Sequence, residues 1–332
     1  MAENIKLINQ LFASMSIKAQ VVGEQQGLRT CRYFVKLDLG EKVSKIRNID
    51  EEISLLIKSI SKPSLYLDTK SGHVVIEATT SDEPIELHLS DLLKKIDLQQ
   101  YILPLVLGSD MYGSPFVVDL ADAPHIIIGG TTGAGKSVFT KTALTSLMHR
   151  YAPSELQFGL IDPKGTELTL FKNTAYSAIY ASDFLTSVEL LEKAVDVMEE
   201  RYKLLSDKGV SALKDLPPAE RLNHPFIVIV IDELADIILQ DKKDQAFTNL
   251  VRLLQKSRAA GIHIIVNTQR PSRDIIKGLL RANLPVQVAL KTTSNHDSRI
   301  IIGEEGAEKL VGKGDMLVNI NGKITRVQGA IS

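Results

Sequence analysis

The chain has 332 residues and a formal net charge of −1, with 44% hydrophobic and 24% charged residues. This is the profile of an ordinary soluble protein long enough for two domains. The near-zero charge excludes a nucleic-acid partner held by an overall basic field, so any such contact needs local basic clusters. No apolar run approaches the roughly 20 residues that cross a bilayer, and no secretory signal is visible. The single cysteine, Cys31, excludes an internal disulfide framework, and we expect a cytoplasmic protein.

Residues 1–105 predict a small α+β domain without a catalytic constellation. An amphipathic helix is indicated by apolar residues at helical spacing, namely Ile5, Ile8, Leu11, Phe12 and Met15. The alternating run from Cys31 to Leu39 predicts a half-buried strand, and residues 43–61 have a helical pattern. Residues 64–68 and 73–79 flank the turn Lys70-Ser71-Gly72 and predict a hairpin.

Residues 106–332 predict a second, larger domain in which strands alternate with helices. The predicted strands are residues 126–128, 157–161, 227–231, 263–268 and 286–291. This alternation implies a parallel sheet covered by helices on both faces. Residues 315–320 and 324–330, around Asn321-Gly322, predict a closing hairpin.

A glycine-rich run lies between the strand 126–128 and a helix-compatible segment, residues 138–150. It fits the pattern G-x-x-x-x-G-K-[ST] and consists of Gly130, Thr131, Thr132, Gly133, Ala134, Gly135, Lys136 and Ser137. Strand, glycine loop and helix in this order suit a phosphate chain, because backbone N–H groups and the helix N-terminus face the anion. We expect Lys136 to reach the β- and γ-phosphates and Ser137 to ligate Mg²⁺. The sequence therefore predicts binding of ATP or GTP, and the well-formed flanks disfavour a chance glycine turn.

Two adjacent acids follow the β-branched run 226–231. We expect Asp232, at the tip of this strand, to hold the Mg²⁺ shell and Glu233 to deprotonate an attacking water. A P-loop kinase or a GTPase would not need the second acid, so the pair favours ATP hydrolysis over ordinary strand-end solvation. Another βα unit separates the two motif strands. We therefore expect an α/β fold of the RecA-like P-loop NTPase class, with a parallel-rich central sheet preceded by the small α+β domain.

Several longer stretches resemble the motor of the FtsK/SpoIIIE family of DNA translocases, within the HerA-FtsK superfamily. They are residues 124–137, 160–164, 231–236, 258–263, 268–271, 297–299, 306–310 and 314–317, in the family's order. The first domain resembles the family's smaller α domain, so the resemblance covers nearly the whole chain. It implies an ATP- and Mg²⁺-dependent translocase of double-stranded DNA that works as a ring, which we expect to be a homo-hexamer.

The resemblance also implies roles for residues outside the two motifs. Gln269 is expected to sense the γ-phosphate or water at the end of strand 263–268, with a local hydrogen bond as the alternative. Arg258 is our choice for an arginine finger because it ends the helix that leads into this strand, with Arg299 and Arg252 as alternatives. Asp162 and Lys164 either couple nucleotide state to a neighbouring subunit or belong to a turn, as is typical of an Asp-Pro sequence.

A basic series follows the predicted sensor strand. Arg273, Lys277 and Arg281 recur every four residues and would share one helix face, with Arg270 just before them. Such a stripe can follow a phosphate backbone without reading bases. A solvated helix face is the alternative interpretation.

Other functions stay open from the sequence alone. A coupling or secretion ATPase of the same superfamily, moving DNA or protein through a channel, is one alternative, and a slowly hydrolysing DNA-binding scaffold is another. Family members often carry N-terminal membrane helices and a C-terminal winged-helix module, which the sequence does not show. We therefore expect a stand-alone or excised motor, with membrane contact only through another chain. Its task could be chromosome segregation, plasmid transfer or defence.

Overall fold

A computed structural model describes residues 2–68, 71–81, 86–276 and 278–332. The chain divides into two compact units, one of Met1–Glu86 with Asp110–Ser114 and one of Leu87–Ser109 with Pro115–Ser332. Residues 87–105 group with the second unit because Leu89 and Leu92 are buried together with Val106 and Ala330. The domain boundary at 105/106 stays a prediction.

Within its described residues, the first unit is a four-stranded antiparallel sheet with helices. Its elements are α1 (Ala2–Ser14), β1 (Ala19–Gln26), β2 (Thr30–Leu37), α2 (Val43–Arg47), α3 (Asp50–Leu56), β3 (Ser64–Asp68) and β4 (His73–Thr79). The strand order is β1-β2-β4-β3. Ile8 and Phe12 of α1 are buried in one core with Tyr33 and Val35 of β2. The predicted amphipathic helix, the half-buried strand and both hairpin strands are confirmed, while Lys70 of the predicted turn lies outside the described residues.

The predicted helix over residues 43–61 is wrong as a single element. It is broken at Asn48 and Ile49 into α2 and α3. Asp50, Glu51 and Glu52 all lie in the first turn of α3, where negative charges favour a new helix N-terminus. Strand β1 was not predicted, because its sequence is mostly polar and lacks a strict alternation.

The second unit alternates strands and helices around a large sheet. Its elements are α4 (Leu89–Leu93), β5 (Pro104–Asp110), β6 (Pro115–Asp119), β7 (His125–Gly129), α5 (Lys136–Met148), β8 (Leu156–Ile161), α6 (Thr169–Lys172), β9 (Ser177–Ala181), α7 (Phe184–Lys208), α8 (Pro218–Arg221), β10 (Phe226–Ile231), α9 (Leu234–Ile238), α10 (Gln245–Lys256), β11 (Ile262–Thr268), α11 (Gly278–Arg281), β12 (Val286–Leu290), α12 (Asn295–Ile302), β13 (Asp315–Ile320) and β14 (Lys323–Gly329). The strand order is β6-β5-β14-β13-β12-β7-β11-β10-β8-β9.

The central strands are parallel and buried on both faces. From β12 to β9 each neighbouring pair runs parallel, whereas β12 pairs with β13 and β13 with β14 antiparallel. Side chains of β10 alternate between two cores, with Val228 and Val230 in one and Ile229 and Ile231 in the other. Helices cover both faces, as the continuous apolar runs predict. All five predicted strands and the closing hairpin are confirmed to within one residue at each end.

The sheet order determines where the two sequence motifs meet. Strand β11 lies between β7, which precedes the glycine loop, and β10, which precedes the two acids. All three strands run parallel, so their carboxyl ends lie at one edge of the sheet. The predicted RecA-like order is confirmed, and it brings both motifs to this edge.

Candidate functional site

The glycine-rich loop connects the carboxyl end of β7 to the first turn of α5. Gly133 and Gly135 have φ values of 77° and 108°, in the left-handed region that favours glycine. A Cβ on Gly135 would lie 2.8 Å from the backbone nitrogen of Gly314, so the close approach also requires glycine. The first-turn N–H groups of α5, which begins at Lys136, have no partners within the helix. The loop therefore presents the donors and the helix terminus that an anionic phosphate chain requires.

Neighbouring segments give the loop a defined conformation. The N–H and the hydroxyl of Thr131 both donate to the carbonyl oxygen of Lys291, at 2.9 and 3.1 Å. The N–H of Gly314 donates to the carbonyl oxygen of Ala134 at 3.0 Å. The ends of β12 and β13 therefore support the loop, a contribution that its sequence does not reveal.

Asp232 is buried at the end of β10, beside the glycine loop. Asp232 is 4% exposed, and its Oδ2 has no hydrogen-bond partner among the described residues. Burial raises the pKa of the Asp232 carboxyl to about 6; the charge of Lys136 opposes this rise and that of Asp162 adds to it. A buried acceptor without a donor is a costly arrangement. A divalent cation would fit this oxygen, with the Ser137 hydroxyl from the loop as a second ligand of the kind that Mg²⁺ takes.

We expect Asp232→Asn to stabilise the metal-free protein near neutral pH. Because the folded-state pKa is raised from 3.8 to about 6, the proton on Asp232 contributes stability that is complete below 3.8 and lost as the pH rises through 6. Ionised Asp232 therefore costs up to about 3 kcal/mol, a cost that asparagine avoids. Urea unfolding in a metal chelator at about pH 7.5 and about pH 4.5 should show the advantage of the variant shrinking at the lower pH. An advantage independent of pH would contradict this.

Glu233 has a different environment from its neighbour. Its Oε1 accepts hydrogen bonds from the Thr268 hydroxyl at 2.8 Å and the Ala235 N–H at 3.3 Å, and its Oε2 accepts the Gln269 N–H at 2.7 Å. The carboxylate is thus tied to the end of β11 and also caps α9. One acceptor position on Oε2 is left for a further donor. Thr268, which sequence reasoning missed, is one of the groups that hold this acid.

Gln269 links the acid to the glycine loop. Its backbone N–H contacts Glu233, and its side-chain oxygen accepts the Thr132 hydroxyl at 2.8 Å. Gln269 therefore lies between the loop and the second acid, where a group that responds to the γ-phosphate is expected. The bond from Thr132 is also a local hydrogen bond of the kind that the alternative interpretation expects. The contacts of Gln269 therefore agree with both a sensor role and a purely local role.

Asp162 and Lys164 lie just after β8 at the same sheet edge. The buried Asp162 carboxylate accepts N–H groups of residues 165–168 and the hydroxyl of Tyr180. These bonds organise a turn, as the sequence alternative anticipates. Lys164 forms an ion pair with Asp236 of α9, with Nζ 3.1 Å from the carboxylate.

Arg258 lies at the opposite edge of the sheet from the glycine loop. It precedes β11, whose seven residues span about 20 Å along the strand before Thr268 is reached. Its Nε–H donates to the Ala121 carbonyl oxygen at 2.9 Å, and a guanidinium nitrogen lies 3.6 Å from the Asp122 carboxylate. The side chain is 55% exposed and lines a cavity of about 220 Å³. Arg258 therefore cannot contact a nucleotide on the loop of its own subunit.

The two alternative arginines are engaged in ion pairs. Arg252 of α10 contacts Glu199 of α7 at 2.8 Å. Arg299 of α12 contacts Glu305 at 2.6 Å. Both pairs are partly exposed, so either guanidinium could exchange its partner at low cost.

The basic series does not lie on one helix face, contrary to the sequence prediction. Helix α11 begins only at Gly278, and residues 273–276 form a turn. Ile275 and Ile276, within this turn, are both buried. Arg270 and Arg273 are exposed, Arg281 has its guanidinium against Gly303, and Lys277 lies outside the described residues.

The fold and the site together define a class of protein. A parallel-rich sheet in RecA-like order has a phosphate-binding loop after β7 and two acids after β10, with a polar strand end between them. These are the parts of a P-loop ATPase. No helix in the described parts of the chain is long and apolar enough to cross a membrane.

Comparisons with known proteins are consistent with this class. The sequence profile of the FtsK/SpoIIIE family matches residues 86–273. DNA translocase FtsK of Rickettsia prowazekii is 35% identical over 351 residues, covering 94% of this chain and 47% of that protein. DNA translocase FtsK of Haemophilus influenzae is 33% identical over 370 residues, covering 99% and 68%. The solved pCW3 conjugation coupling protein TcpA, in monomer form with ATPγS, is 22% identical with a TM-score of 0.70, covering 99% of this chain and 94% of that one.

The chain therefore belongs to the FtsK/SpoIIIE family. It spans about half the length of the Rickettsia relative and about two thirds of the Haemophilus relative. The likeness to the coupling protein shows a shared fold, in agreement with the expected class.

Proposed function

We propose that this chain is an ATP-driven motor that moves double-stranded DNA, working as a homo-hexameric ring in the cytoplasm. The observation that carries the proposal is the pair of unlike acids at the end of β10. Among the residues that the structure describes, Asp232 has a buried oxygen without a hydrogen-bond partner, and Glu233 is held by three donors beside it. Membership of a family whose relatives are named DNA translocases supports DNA as the substrate that is moved.

The proposed chemistry assigns one task to each group. The loop N–H donors and Lys136 bind the phosphates of ATP, and Ser137 and Asp232 would hold Mg²⁺. The metal, when held there, would supply positive charge against the negative charge that develops on the phosphates. Glu233 accepts a proton from the attacking water at the free position of Oε2, while Thr268 and the Gln269 N–H keep the carboxylate oriented.

Gln269 is proposed to report the state of the γ-phosphate. Its side-chain bond to Thr132 joins the glycine loop to the polypeptide that continues into Arg270 and Arg273. A shift of the loop on hydrolysis would therefore move the backbone that carries these exposed arginines. Such a connection provides a route from chemistry to a DNA-contacting segment.

The decisive experiment measures the ATPase rate with and without duplex DNA, together with the native mass. A motor predicts hydrolysis that is stimulated by DNA in an assembly of six subunits. Stimulation by a peptide signal instead would identify a secretion ATPase, and tight nucleotide binding without either stimulation would identify a scaffold. Absence of nucleotide binding would overturn the proposal altogether.

We propose Arg270 and Arg273 as exposed phosphate contacts, with Lys277 and Arg281 completing the predicted series. Substituting Arg270 and Arg273 by glutamine should weaken duplex binding similarly for all sequences and remove DNA stimulation, with basal ATPase kept. The slope of log affinity against log salt should shrink by about 0.9 for each lost contact. Duplex binding at several salt concentrations measures it.

A matched control removes the same charge elsewhere in the second unit. Lys193 and Lys203 are exposed residues of α7, and Lys193→Gln with Lys203→Gln should leave the salt slope and the stimulation unchanged. If the arginine variant and the wild type give superimposable lines, the DNA contact lies in another loop. The separate substitution of Arg281, which packs on Gly303, tests whether the series extends that far.

A further inference from the structure

A buried hydrogen-bond chain crosses from α5 to β10 through Asn267 of β11. The Thr140 hydroxyl donates to Asn267 Oδ1 at 3.0 Å, and Asn267 Nδ2 donates to the carbonyl oxygen of Ile231 at 3.1 Å. Thr140 is 4% exposed, Asn267 1% and Ile231 0%. Three elements of the nucleotide-binding unit are therefore connected by side-chain and backbone atoms that water does not reach.

The polar pair is unusual for its surroundings. All seven residues of β11 are buried, and Ile264, Ile265 and Val266 precede Asn267 in the strand. An apolar pair would fill this space without requiring a fixed geometry. A satisfied buried hydrogen-bond chain instead has a narrow range of distances and angles, because each donor must meet its acceptor.

The chain of bonds connects the two halves of the proposed metal site. Thr140 follows Ser137 by three residues and Lys136 by four, so the three share one face of α5. Ile231 immediately precedes Asp232 in the sequence. The bonds therefore join the face that carries Ser137 to the backbone that carries Asp232.

We propose that Thr140 and Asn267 are positioning residues that set the separation between Ser137 and Asp232, and thereby the strength with which the site takes Mg²⁺ with ATP. The inference rests on the proposed function, because it concerns the same site. Both residues are buried and act through the elements that they connect. Residues that hydrogen-bond to metal ligands affect metal affinity by about 10- to 100-fold in other sites, and here the bonds end one residue before Asp232.

The test compares two buried threonines of the same helix. Thr140→Val removes the hydroxyl that donates to Asn267 and keeps the side-chain shape. Thr142→Val is the matched control, because Thr142 is equally buried but donates to the Ala330 carbonyl oxygen at 2.9 Å, away from Asp232. Affinity for ATPγS is measured by calorimetry in EDTA and in excess Mg²⁺, and the ratio of the two affinities gives the gain from the metal.

We expect Thr140→Val to lower the gain from Mg²⁺ by about ten-fold or more, with the affinity in EDTA changed less than about three-fold. Thr142→Val should keep the wild-type gain, and Thr140→Ser, which retains the hydroxyl, should restore it. Equal gains in Thr140→Val and Thr142→Val would overturn the inference, since both substitutions then act only on packing.

A double variant covers the case in which Thr140→Val folds poorly. Thr140→Val with Asn267→Leu removes both polar side chains together, so neither is left unpaired, and the Ile231 carbonyl oxygen loses only its bond from Asn267. The double variant should unfold at a temperature close to that of Thr142→Val and still show the lowered gain in ATPγS affinity from Mg²⁺. If its gain equals that of the wild type, the inference is overturned. A wild-type protein that gains nothing from Mg²⁺ would overturn the proposed function and the inference together. If every variant shows the same gain in ATPγS affinity from Mg²⁺ as the wild type, the inference is overturned and the proposed function stands.

Discussion

Replacing Glu233 with glutamine should leave ATP and Mg²⁺ binding in place and lower the hydrolysis rate by roughly 10²-fold or more. Glutamine has the same shape, and its single oxygen can accept the Gln269 N–H that now contacts Oε2. The Thr268 hydroxyl can rotate to accept a bond from the new amide group, and only the longer bond from the Ala235 N–H, at 3.3 Å, is lost. The end of β11 therefore stays in place, while the group that accepts a proton from water is lost.

Single-turnover hydrolysis and equilibrium ATP binding together measure this effect. Lys136→Ala is the comparison, because it removes a phosphate contact and should weaken binding itself. Near-normal turnover in Glu233→Gln would assign the base to another residue. A loss of binding equal to that of Lys136→Ala would instead show that Glu233 supports the site's structure.

The different environments of the two acids explain why one strand end can serve two roles. No donor in the described part of the chain reaches one buried oxygen of Asp232, which favours a cation as its partner. Glu233 has three donors that fix its orientation and leave one acceptor position. The acids are neighbours in sequence, so the difference arises from what β11 and the glycine loop place beside each.

Local sequence patterns were sufficient for the glycine loop and for the parallel strands β7, β8, β10, β11 and β12, whereas β1, β5, β6 and β9 were not predicted. The run from Phe226 to Ile231 is apolar throughout because β10 is buried on both faces, and that signal is independent of the rest of the fold. The glycine loop is equally local, since its conformation depends on glycines at fixed spacing. The glycine loop and the two acids after β10 meet at one edge of the sheet because β7, β11 and β10 run parallel.

Contacts between distant residues could not be predicted in this way. Thr268 contacts Glu233 across 35 positions, and Asn267 contacts Thr140 across 127. The spacing of the arginines after β11 suggested a helix face, but residues 273–276 form a turn and α11 begins only at Gly278. Tertiary context overrides local propensity at such positions, and the spacing of residues in the sequence carries no information about that context.

Arg258 has a position that restricts how it could act in catalysis. It lies before β11, while the glycine loop lies after β7, and the two strands run parallel. The two therefore lie at opposite ends of the sheet, and Arg258 could contact a nucleotide only if it were bound to a neighbouring subunit. The bond to the Ala121 carbonyl oxygen leaves guanidinium N–H groups for a phosphate, and exposure of the side chain permits contact with another subunit.

Arg258→Ala should therefore lower kcat by about 10³-fold or more, as loss of an arginine finger does, while each subunit still binds ATP. Mixing it with Lys136→Ala subunits should restore activity, because each mutant supplies what the other lacks on about one interface in four under random mixing. Steady-state ATPase against the mixing ratio measures the rescue, with Arg252→Ala and Arg299→Ala in place of Arg258→Ala as controls. If either control rescues and Arg258→Ala does not, that arginine is the finger. Absence of rescue in mixed rings that demonstrably form would make Arg258 a structural residue held by Ala121 and Asp122.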